Sequence, residues 1–155
     1  MKRKMTLLVF LMSAAAVSLC FAGDDPLMGT WKLNESKSKI PAGTPKNSTV
    51  VYAQSGDEVT ITVDGEDGSG KPMHHEWTGK FDGKDYPAKG DVNQDMRAYK
   101  KVDANTVTYT VKREGKTVGH GKVVVAADGK SRKTSQTMTL ANGKTVTQTA
   151  VFDKQ

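Results

Sequence analysis

Apolar and polar side chains alternate one by one along most of this chain. Val59, Ile61 and Val63 fall on one parity against Thr60 and Thr62, and Met73, His75, Trp77 and Phe81 oppose His74, Glu76, Thr78 and Lys80. Val107, Tyr109, Val111 and Arg113 likewise oppose Thr106, Thr108, Thr110 and Lys112, while Val146, Gln148, Ala150 and Phe152 share a face near the C-terminus. A period of two puts successive side chains on opposite faces of a strand. The pattern predicts strands over 30–33, 48–54, 58–64, 73–81, 86–88, 96–102, 106–113, 117–126, 132–140 and 145–152.

Turn residues separate these runs: Ser55-Gly56-Asp57, Asp64-Gly65, Asp82-Gly83, Glu114-Gly115, Asp128-Gly129 and Asn142-Gly143. Asp-Gly and Asn-Gly are strong hairpin signals because both central residues of a type I′ turn need positive φ. No run has helical spacing, and the one long irregular stretch, Asn34 to Asn47, is broken by Pro41, Gly43 and Pro45. Many short antiparallel strands with nearest-neighbour links predict an all-β fold, an up-and-down barrel of about eight to ten strands. Closure also removes the sheet edges that would template aggregation.

The faces turned inward by this alternation are not uniformly apolar. Tyr52, Trp77, Tyr109 and Phe152 supply apolar walls, and His75, His120, Gln136 and Gln148 stand among them. Arg113 and Arg132 lie beside turns, where a solvated rim position competes with an interior one. A fully packed core leaves such groups unsatisfied at about 1–3 kcal/mol each. A wet cavity or a bound molecule satisfies them.

The N-terminus has a different character. Lys2, Arg3 and Lys4 precede an apolar stretch from Met5 to Leu19, and Cys20-Phe21-Ala22 supplies a small-residue cleavage site. This is the layout of a secretory signal peptide over 1–22, leaving 23–155 as a single mature domain. An uncleaved anchor or a lipid-modified Cys20 are the lesser alternatives, Leu19 being a poor fit before a modified cysteine. The expected location is the periplasm or the medium, with no stable membrane span. Half of the formal +6 charge lies in Lys2, Arg3 and Lys4, and the only cysteine is Cys20. The mature chain is therefore near neutral and thiol-free, and its stability must come from its core.

Gly29-Thr30-Trp31-Lys32-Leu33-Asn34-Glu35-Ser36 resembles the opening of the calycin superfamily, both the Gly-x-Trp motif of lipocalins and the first strand of intracellular fatty-acid-binding proteins. Ser55-Gly56-Asp57-Glu58-Val59-Thr60-Ile61 is similar to the early hairpin of the latter group, and Val151-Phe152-Asp153-Lys154 to its closing strand. The start is also similar to that of small exported bacterial proteins described as lipocalin-like. The resemblance implies that Gly29 and Trp31 are structural, with Trp31 packed across the closed end of a barrel. It implies a small apolar ligand inside, but not a fatty acid. The Arg and Tyr that hold a carboxylate on the last strand of fatty-acid-binding proteins are replaced by Ala150 and Phe152, and the helical lid has no counterpart in Asn34 to Asn47.

Other chemistries find little support. The mature chain has no cysteine nucleophile and no Gly-x-Ser-x-Gly elbow. His74 and His75 point to opposite faces, a pairing of His75 with His120 would lack a carboxylate, and Asp64, Glu66 and Asp67 miss the spacing of a calcium loop. Neither a metal nor another cofactor is expected. Lys100-Lys101 and Arg132-Lys133 split across strand faces without a stacking platform, so no nucleic-acid partner is expected. The expectation is an exported, non-catalytic, monomeric barrel holding a small, mostly apolar ligand. Its contacts would be Tyr52, His75, Trp77, Tyr109, His120, Gln136, Gln148 and Phe152. The alternative is a ligand-free envelope module acting through the loops Asn34–Asn47 and Val92–Asp95.

Overall fold

A computed structural model describes residues 25–155; the expected signal peptide, with Cys20 and its cleavage site, lies outside the described residues. The chain forms ten strands, β1 (Gly29–Leu33), β2 (Lys46–Ser55), β3 (Glu58–Glu66), β4 (Pro72–Gly79), β5 (Asp82–Lys89), β6 (Met96–Lys101), β7 (Thr106–Arg113), β8 (Lys116–Val125), β9 (Ser131–Thr139) and β10 (Thr145–Lys154). Each pairs antiparallel with its neighbour in sequence, and β1 closes on β10, giving a closed up-and-down barrel. Among the described residues the only helical element is a 3₁₀ turn, Glu35–Lys37.

The period-two alternation sorts the side chains as expected. Val59, Ile61 and Val63 on β3, Val107, Tyr109 and Val111 on β7, and Val146, Ala150 and Phe152 on β10 are buried in the barrel. The outer parity of β7, β9 and β10 is rich in threonine, and Thr137 pairs with Thr147 and Thr139 with Thr145 at 2.9 and 3.0 Å across the ladder.

Two of the six turn signals do other work. Asp64-Gly65 stays inside β3, because β2 carries a bulge between Asn47 and Thr49 and its backbone crowds against Gly65; the chain reverses later, at 67–71. Asp82-Gly83 opens β5, where the register slips between Asp82 and Asp85 and Gly83 takes φ +83°. The Glu114-Gly115 hairpin has positive φ at both positions, 51° and 73°, as a type I′ turn requires.

The two ends of the barrel are closed differently. At one end, residues 25–28 fold under the sheet: Leu27 and Trp31 are fully buried, and Trp31 Nε1 donates to the Leu27 carbonyl at 2.9 Å. Lys154 covers the outer face of the Trp31 ring at 5.2 Å, and Lys101 pairs with Asp25. At the opposite end the β5–β6 loop, residues 90–95, lies across the opening with Asn93 and Gln94 buried. It is tied to two neighbouring turns: Asn93 Oδ1 accepts from the Ala141 amide at 2.9 Å and Asp95 Oδ2 from the Glu114 amide at 2.6 Å.

Candidate functional site

The interior has an aromatic wall and a polar floor. Trp77 on β4 meets Tyr99 on β6 edge-on at 4.7 Å, and Tyr99 continues to Tyr109 on β7 at 5.3 Å. Trp77 Nε1 donates to the Arg97 carbonyl of β6 at 2.9 Å. This bond reaches past β5, which pairs with β4 at only two positions, Glu76 with Lys89 and Trp77 with Ala88.

The polar groups come from strands on both sides of the barrel. Arg132 on β9 is 3% exposed and donates from Nη1 to Tyr52 Oη on β2 at 2.7 Å. Arg97 donates from Nη1 to Tyr99 Oη at 3.0 Å and from Nε to Gln94 Oε1 at 2.8 Å. Gln94 in turn donates from Nε2 to Asp91 Oδ2 at 2.7 Å, so the end loop is linked to the interior arginine. Tyr109 donates to Gln136 Oε1 at 2.7 Å. Four buried polar atoms have no partner among the described residues: both ring nitrogens of His75, Arg132 Nε and Gln148 Oε1.

Burial sets the protonation of these groups. It pushes the Tyr52 and Tyr109 hydroxyls up in pKa, against the pull of Arg132 on Tyr52 and of Arg97 on Tyr109. Burial, with the Arg97 charge nearby, lowers His75 to about 4, so its ring is neutral at pH 7. The interior thus holds the guanidinium side chains of Arg97 and Arg132 and, at pH 7, a neutral His75 imidazole, with Asp91 at its end-loop margin.

Side chains occupy most of the space. A cavity of about 40 Å³ is bordered by Arg97, Arg132, Tyr52, Tyr99, Tyr109 and Gln136. A second, of about 30 Å³, lies under the end loop between His75, Asp91, Asn93, Arg97 and Gln136. A larger depression of about 570 Å³ lies on the outer face of β6–β10 among Lys100, Thr108, Lys122 and Thr137. None of the four unpartnered buried atoms belongs to an outward-facing side chain, so the chemistry is concentrated inside.

Seven of the eight residues expected to contact a ligand, Tyr52, His75, Trp77, Tyr109, Gln136, Gln148 and Phe152, face the interior. His120 does not. It is exposed on the outer face of β8 beside Thr110 and Thr137, because Gly119 and Gly121 hold the inner parity. Gly121 sits opposite Tyr109, and any side chain there would overlap the Tyr109 ring. Arg132 corrects the rim reading: Phe152, Tyr52 and Trp31 surround its guanidinium at 4.5, 4.9 and 5.3 Å. Arg113 remains near the end of β7, where Nη1 reaches the Thr139 carbonyl at 3.3 Å. Arg97 is not among the expected contacts, although alternation carries the signal: it shares the parity of Tyr99 and points inward with it.

The class defined by this geometry is a closed ten-stranded antiparallel barrel with a largely filled, cationic interior. No protein-family model matches the chain, and no curated protein does. Among solved structures it is similar to a redesigned beta barrel, mFAP1, bound to DFHBI, with 14% identity, a TM-score of 0.43, and 83% of this chain and 95% of that chain covered. It is also similar to EF1p2_mFAP2b bound to DFHBI, at 12% identity and a TM-score of 0.46, with 84% and 94% covered. Identities this low assign no function.

Proposed function

We propose that this protein is an exported, non-catalytic, monomeric binding protein of calycin type whose barrel interior takes a small molecule. One observation carries the reading: the interior keeps polar groups that the barrel does not pair, including Arg132 Nε, Gln148 Oε1 and both nitrogens of His75. Buried polar groups without partners cost about 1–3 kcal/mol each, and a guest that pairs them removes that cost. Tyr52, Tyr99, Tyr109 and Phe152, which border the interior cavity, give the guest an aromatic surface. Export is supported by the basic, apolar and small-residue segments over 1–22.

A filled barrel acting as an envelope module through its loops is the second reading. The small cavities favour it, at about 40 and 30 Å³ against about 300 Å³ at the low end of ligand sites. Val92, 82% exposed on the end loop, is the apolar contact such a module would offer.

Native mass spectrometry of the protein purified from its own envelope separates the two. The binding reading predicts a co-purifying species, or an added apolar probe that quenches Trp77 fluorescence. A guest-free protein that no probe perturbs would leave the module reading standing.

A further inference from the structure

The interior cavity of about 40 Å³ is bordered by two guanidiniums and, among the described residues, by no Asp or Glu. Arg132 is 3% exposed, its Nη1 bond goes to a hydroxyl, and its buried Nε–H has no partner among the described residues. The rings of Phe152, Tyr52 and Trp31 attract the guanidinium but carry no net charge. Cation–π contacts return less than the desolvation of a lone ion costs. Arg97 reaches the Asp91 carboxylate only through the side-chain amide of Gln94. No ion pair among the described residues involves either arginine.

The same cavity is rich in donors and short of acceptors. Tyr52 and Tyr99 accept from the two guanidiniums through their hydroxyl oxygens, so each O–H is left to donate. Of the neutral acceptors that border it, Gln136 Oε1 already receives the Tyr109 hydroxyl, and Asn47 and Thr134 carry no charge to offset the guanidiniums. A neutral apolar guest would satisfy none of these groups.

We propose that this cavity is a site for a small anion, held by the guanidiniums of Arg97 and Arg132 and the hydroxyl of Tyr52. The inference rests on the interior-binding reading and names the chemical class of the guest. The volume admits roughly two or three water-sized bodies, which suits chloride, formate or acetate and excludes an alkyl chain. The two arginines lie on β6 and β9, on strands other than β10, where Ala150 and Phe152 stand.

Thermal unfolding at constant ionic strength tests the proposal, with gluconate replaced stepwise by chloride, formate, acetate or octanoate. The expected result is a saturable rise of a few degrees with the three small anions, and no tighter response to octanoate than to acetate. Arg132→Met should abolish the response and melt higher than the parent in gluconate, because it removes an unneutralised buried charge. Tyr52→Phe keeps the ring and the barrel packing, and should raise the half-saturating concentration roughly tenfold by removing one donor. The proposal is overturned if no small anion shifts the midpoint, if Arg132→Met keeps the response, or if octanoate binds far more tightly than acetate. Should anions fail while an apolar probe still quenches Trp77, only the anion assignment falls. Should both fail, the interior-binding reading falls with it.

Discussion

His75 illustrates how one buried side chain links the interior to pH. It is 5% exposed, neither ring nitrogen has a partner among the described residues, and burial holds its pKa at about 4. The unfolded side chain takes up its proton near 6.5, so between these values the unfolded state binds more protons and stability falls as pH falls. The depressed value corresponds to roughly 3 kcal/mol lost from pH 6.5 down to pH 4. Urea unfolding of the parent and of His75→Leu at pH 7 and at pH 4 should show that extra loss in the parent alone; equal losses would show that His75 is paired after all. The inward positions of His75, Trp77, Gln136 and Phe152 are legible from strand parity. His120 is not, because its inner neighbours are glycines and parity counting has no side chain to anchor the face. Arg132 is not either, since proximity to a turn in sequence says nothing of how far three aromatic rings draw a long side chain inward.

At the scale of elements, ten strands are legible, and most alternate long enough to fix their faces; β8 is the exception in face, and β5, expected over 86–88, in length, since it runs from Asp82 to Lys89. The turns are less so. An Asp-Gly pair asks for positive φ at glycine, and a bulge meets that request as well as a hairpin does, which is how Asp82-Gly83 came to lie within a ladder. The end loop is illegible for a different reason: its order comes from side-chain bonds among residues with no periodicity. Asp91 accepts from the Asn93 amide and side chain at 2.9 Å and from Gln94 at 2.7 Å, and Gln94 passes the link to Arg97. Asp91→Ala should therefore loosen 90–95 without unfolding the barrel. Hydrogen exchange should speed by about tenfold or more at the Asn93 and Gln94 amides while the β7–β8 ladder is unchanged; unaltered loop protection would mean that the anchors at Glu114 and Ala141 suffice.

For the whole molecule, closure is legible from the short links and the absence of helical spacing, and β1 pairing with β10 completes it. The size of the interior space is not, because volume depends on how Arg97, Arg132 and the tyrosines fold into the lumen, and composition carries no trace of that. The consequence is a barrel whose centre is polar and cationic, where the alternation by itself suggests an apolar pocket with a few orienting groups. Diffraction from crystals grown in bromide, measured at the bromine absorption edge, locates such a guest directly. The account predicts an anomalous peak inside the barrel, within hydrogen-bonding reach of Arg132 Nε and the Tyr52 hydroxyl. Peaks confined to outer lysines such as Lys100 and Lys122, with the interior closed over by its own side chains, would contradict it.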